Sequence, residues 1–81
     1  MIIQVRLFAQ LRDAFATDVL IVDIPEDAKL GDLRRHLHAM RPHLAAALNQ
    51  CQVALDHELV TDDVVIKPNS EIAWLPPVSG G

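Results

Sequence analysis

The 81 residues carry seven basic and eleven acidic side chains, a formal net charge of −4, and 51% of them are hydrophobic. A chain this short makes one domain with a thin core, because domains of this size bury only about 60–65% of their unfolded surface; a roomy internal active site is not expected. The apolar fraction excludes a disordered chain, the longest apolar run (residues 44–48) is too short to span a membrane, and the single cysteine, Cys51, excludes an internal disulfide framework.

Ile3, Val5 and Leu7 alternate with Gln4 and Arg6, which is the period of a half-buried strand, and Phe8 extends it on the opposite face. Residues 9–18 read as a connection with one helical turn over residues 9–12. Residues 19–24 predict a second strand, β-branched and stopped by Pro25, with Leu20, Val22 and Ile24 inward and Asp23 outward. Leu30, Leu33, Leu37 and Met40 then share one face of an amphipathic helix, with Arg34, Arg35 and His38 turned to solvent. Pro42 ends that helix at Arg41 and can start a short second one over residues 43–48. Gly31, in the first turn, weakens the main helix.

Cys51, Val53 and Leu55 alternate again as a strand, Asp56 and His57 read as a turn, and Leu59 and Val60 as a short edge strand. Lys67-Pro68-Asn69-Ser70 is a second turn signal. The last strand covers residues 71–75 and Pro76-Pro77 stops it. One main helix over one face of a mixed sheet of four to five strands makes a two-layer α+β domain over residues 1–75, followed by an extended tail over residues 76–81.

Most familiar chemistries find no motif. His36 and His38 sit two apart on a helix, His43 follows a proline and His57 lies in a distant turn, so no metal site is expected. The only glycines are Gly31, Gly80 and Gly81, so there is no glycine-rich phosphate loop. Cys51 falls on the inward face and reads as a small buried hydrophobe; a nucleophile or sulfur carrier is the alternative. The whole net charge of −4 sits in residues 42–81, which disfavours a nucleic-acid partner and suits a basic protein surface. Without a signal peptide at Met1-Ile2-Ile3-Gln4, and with one free thiol, a cytoplasmic setting is expected.

The C-terminus is the informative segment. Pro76-Pro77 favours an extended conformation, and six residues reach about 20 Å at most. Gly80 and Gly81 lack a Cβ, so they can thread a narrow channel and present a bare carboxylate. This pattern suits delivery of a carboxyl group into another protein's active site.

Leu7-Phe8-Ala9-Gln10-Leu11-Arg12-Asp13 and Ala73-Trp74-Leu75-Pro76-Pro77-Val78-Ser79-Gly80-Gly81 resemble the small subunits of molybdopterin synthase, sulfur carriers of the ubiquitin-like β-grasp fold. The resemblance implies that Gly81 is adenylylated at the expense of ATP by a ubiquitin-activating-type adenylyltransferase and converted by a persulfide sulfur donor to a thiocarboxylate. It implies sulfur donation to cyclic pyranopterin monophosphate inside a large subunit, in a heterotetramer of two small and two large subunits. The tail is then reagent rather than catalyst, and the small subunit binds no cofactor itself. The same fold and Gly-Gly end also suit a sulfur carrier for thiamine thiazole synthesis or a ubiquitin-like protein modifier; Pro-Pro-Val-Ser favours the molybdopterin branch. If Ile72 and Trp74 face the helix, alternation turns Ala73 and Leu75 outward beside Phe8. Phe8, Ala73 and Leu75 are therefore the expected docking patch, continuous with Pro76, Pro77, Val78 and Ser79 of the tail.

Overall fold

Alternation decides the sheet. In the computed structural model, which describes residues 1–77, strand β1 (Ile2–Leu7) buries Ile3, Val5 and Leu7 and leaves Ile2, Gln4 and Arg6 outside. β2 (Val19–Asp23) returns antiparallel to it, and β5 (Glu71–Leu75) lies parallel to β1 on the other side. β3 (Gln52–Leu55) and β4 (Glu58–Val60) complete a five-stranded mixed sheet in the order β2-β1-β5-β3-β4. The first and last strands therefore sit side by side near the middle.

Two hairpin details fix the register beside β5. Asp56 and His57 both take positive φ (51° and 72°), the signature of the two-residue turn whose twist matches antiparallel strands. The Asp56 carboxylate accepts the Glu71 N–H at 2.8 Å while the Asp56 N–H donates to the Glu71 carbonyl at 2.8 Å. The turn before β5 places Asn69 at φ 65°, a conformation that asparagine tolerates.

Helices cover one face. α2 (Leu30–Met40) buries Leu30, Leu33 and Leu37 completely, each side chain worth about 1.5–3 kcal/mol of burial. Its first free N–H groups find carbonyls on the loop before β5: Leu30 donates to Val64 and Gly31 to Asp62, both at 2.9 Å. The Asp32 carboxylate accepts the Lys29 N–H at 2.9 Å, and that bond holds its pKa below the usual carboxylate range. Pro42 stops α2 as expected and opens a short 3-10 turn (Pro42–Leu44) that runs into α3 (Ala45–Gln50).

Some expectations need correction. Residues 9–15 form a full helix, α1 (Ala9–Phe15), rather than a single turn, because Leu11 and Phe15 are one turn apart and both reach the core. Its end is closed by a pair of bonds, Ala16 N–H to the Asp13 carbonyl and Thr17 N–H to the Arg12 carbonyl, with Ala16 left-handed at φ 58°. Arg34 is not a solvated charge. Its side chain is only 14% exposed and folds down over the Trp74 ring. Leu20 is half-buried rather than fully inward, and His38 is half-buried rather than turned to solvent, with its Nε2 buried.

Candidate functional site

Strand β5 positions the C-terminal segment. Ile72 and Trp74 are 0% exposed, while Ala73 and Leu75 are half-buried on the opposite face. Two large buried anchors within one five-residue strand hold its end rigidly. Pro76 and Pro77 then leave the sheet, since neither has an N–H to donate to a ladder. A small niche of about 50 Å³ lies beside this exit, lined by Gln10 and Leu11 of α1, Ala47 and Gln50 of α3, and Cys51, Pro76 and Pro77. Val78, Ser79, Gly80 and Gly81 lie outside the described residues.

Cys51 belongs to the core. It is buried, and its thiol donates to the Ala47 carbonyl at 3.1 Å. Burial pushes the thiol pKa up; the Arg34 charge and the Trp74 indole pull the other way but do not cancel it. A reactive cysteine needs the opposite setting.

The outer sheet face brings the other candidate residues together. Arg6 pairs with Ala73 and Leu7 with Trp74 in the parallel register, so Phe8 continues the row toward Leu75. Phe8 is 40% exposed and extended (φ −131°, ψ 156°), at the residue that opens α1 rather than in β1 itself. On the other flank Ala73 pairs with Ala54, and Ala54 pairs with Leu59. Leu59 is 61% exposed and extends the Phe8–Ala73–Leu75 patch across β3 to the sheet edge. Sequence reasoning missed it. The available signal was alternation from the inward Val53, carried through a two-residue turn, but its use requires the β5–β3–β4 order.

Charge bounds the patch at the far end of β5. Glu71 meets Arg6 at 3.7 Å and His57 at 3.3 Å, all three on the surface. Among the described residues, no three His, Cys, Asp or Glu side chains come together in a group that could hold a metal ion. No helix there is long and apolar enough to cross a membrane.

Comparison with known proteins agrees with this geometry. The molybdopterin synthase sulfur carrier subunit of Escherichia coli (strain K12) is 36% identical, with 98% of this chain and 99% of that protein aligned. SAMP1 of Haloferax volcanii superposes with a TM-score of 0.85 at 26% identity, covering 100% of both chains. A chain in the complex of subunits 1 and 2 of the molybdopterin-converting factor from Helicobacter pylori 26695 superposes with a TM-score of 0.70, also at 26% identity and full coverage of both. These neighbours share a ubiquitin-like β-grasp architecture with the five-stranded sheet described above. The ThiS family model matches residues 5–81, from within β1 through the Gly-Gly end, and the chain belongs to the ThiS family.

Proposed function

We propose that this chain is the sulfur carrier subunit of a molybdopterin synthase, working in the cytoplasm, and that its reagent is the carboxyl group of Gly81. The observation that carries the reading is the pairing of a Pro76-Pro77-Val78-Ser79-Gly80-Gly81 end with a strand locked into the core by Ile72 and Trp74. The naming of the Escherichia coli relative, aligned almost end to end, supports it.

The chemistry starts from an ionised carboxylate, a poor electrophile with an ordinary pKa of about 3.3–3.7. A ubiquitin-activating-type adenylyltransferase uses ATP to convert it to an acyl adenylate, with pyrophosphate leaving. A persulfide sulfur displaces AMP, and cleavage of the sulfur–sulfur bond by a thiol leaves the thiocarboxylate. The loaded chain then docks on a large subunit and donates sulfur to cyclic pyranopterin monophosphate. The neighbouring complex of subunits 1 and 2 supports a large-subunit partner, here taken as a heterotetramer of two small and two large subunits. In this scheme the chain supplies sulfur and a docking surface, while acid–base groups come from the large subunit. No cofactor is held by this chain.

Phe8, Ala73 and Leu75, with Leu59 added, form the docking surface in this reading, and Pro76, Pro77, Val78 and Ser79 lead Gly80 and Gly81 into the partner. The test is intact mass after incubation with ATP, the activating enzyme and a persulfide donor. One sulfur-for-oxygen exchange is expected in the full chain and none after deletion of Gly81. An exchange that survives the deletion overturns the assignment to Gly81; none in either form, with an enzyme that loads a known carrier, overturns the carrier reading.

A further inference from the structure

The sheet has two edges, and the β2 edge is self-complementary. Leu7 donates to the Asp18 carbonyl and Ile24 to the Met1 carbonyl, both at 2.9 Å. In an antiparallel pair the ladder groups alternate in direction, so Val19, Ile21 and Asp23 aim their N–H and C=O groups out of the sheet. A second copy brought up by a two-fold axis through Ile21 would set Ile21 against Ile21 and each Val19 against the other chain's Asp23. That register makes six ladder bonds. Ile2 (63% exposed) and Ile21 (56% exposed) would add apolar contact at the seam.

One side chain stands in the way. The Thr17 hydroxyl donates to the Val19 carbonyl at 2.9 Å and accepts the Val19 N–H at 3.3 Å, so both outward groups of Val19 are occupied. With Val19 removed from each copy, four of the six bonds are lost and only the Ile21 pair remains. Thr17 is itself held, because its N–H closes the end of α1 on the Arg12 carbonyl at 3.2 Å. Exposed strand edges are a general association hazard, and a local plug is one way to blunt them.

We propose that the β2 edge is a latent pairing site for a second copy of this chain, and that the Thr17 hydroxyl is the guard that keeps it closed. The inference does not depend on the sulfur-carrier reading. It is tested by sedimentation of the full chain and its Thr17→Val, Thr17→Ala and Thr17→Ser variants over a concentration series, with salt raised to screen Asp18 and Asp23. Wild type and Thr17→Ser are expected to stay at the 9.0 kDa monomer mass. Thr17→Val and Thr17→Ala are expected to rise toward twice that mass. Ile21→Cys gives a second readout, since opposed residues in a hydrogen-bonded pair lie about 5.5 Å apart at Cα, within disulfide range. The cross-link is expected in Thr17→Val and not with Thr17 intact. Folded Thr17→Val and Thr17→Ala that remain monomeric and uncross-linked overturn the proposal, as does equal cross-linking with Thr17 intact. If neither variant folds, amide exchange of the wild type decides: Val19 protected with Ile21 and Asp23 fast supports the guard, and the reverse order overturns it.

Discussion

The Arg34 guanidinium lies 5.0 Å from the centre of the Trp74 ring. Its Nη1 donates to the Leu48 carbonyl at 2.7 Å, and Nε and Nη2 grip the Asp62 carboxylate at 3.2 and 2.9 Å. One side chain thus ties α2 to the end of α3, to the loop before β5 and to the strand that carries the tail. Arg34→Ala is expected to cost about 2–3 kcal/mol, by loss of the cation–π contact, the packing and the shared bonds. At about 4–8 °C per kcal/mol for a domain of this size, Tm should fall by roughly 10–20 °C. Arg34→Lys keeps the charge and loses the fork, so it should fall between. A Tm shift of Arg34→Ala within about 2 °C would make Arg34 an ordinary surface charge.

Ala16 occupies a position that glycine normally fills. Its φ of 58° is left-handed, and the two closing bonds of α1 require it. Ala16→Gly should therefore stabilise the fold by about 0.5–1 kcal/mol, despite the added freedom of the unfolded chain. Urea unfolding measures it; a loss of stability would mean that the alanine methyl contributes packing that outweighs the strain.

Cys51→Ala should cost about 1 kcal/mol and leave sulfur loading unchanged, as befits a buried thiol. The pH dependence has a definite sign. The folded thiol holds its proton more tightly than the unfolded one, so its contribution is intact below about pH 8.5 and fades as pH rises toward the raised folded value. Cys51→Ala should flatten that alkaline loss in a Tm-against-pH series. Loading that disappears in a normally folded Cys51→Ala would make the thiol part of the chemistry.

Leu75→Glu and Leu59→Glu probe the docking face separately. Each is expected to weaken binding to the large subunit by about 2–4 kcal/mol, roughly 30- to 1000-fold in Kd. Leu59 is largely exposed, so its substitution should leave Tm within about 4 °C, a stability change of no more than about 0.5 kcal/mol. Leu75 is half-buried and should lose somewhat more. Calorimetric titration with paired melting separates the effects: unchanged binding in both variants removes this face from the interface.

Local pattern carried most of the fold. Ile72 and Trp74 announce their face by alternation, and α2 announces its length by apolar spacing and by Pro42. What stayed hidden depends on tertiary partners. Helix periodicity turns Arg34 outward, and only the arrival of Asp62, Leu48 and Trp74 folds it down. The end of α1 lacks a glycine signal because Ala16 takes the left-handed position. Leu59 joins the candidate patch only once β3 is known to sit between β4 and β5.

The central claim is most directly tested by a single turnover with isotopically labelled sulfur. The chain is loaded at Gly81 with a labelled thiocarboxylate, mixed with the large subunit and cyclic pyranopterin monophosphate, and the label is followed by mass spectrometry. Label is expected to leave the chain and appear in the pterin dithiolene, with the chain returned at its carboxylate mass. Label that stays on an unreacted chain, label released as sulfide while the chain becomes joined to lysines, or label transferred only to a thiazole precursor offered in parallel would contradict it.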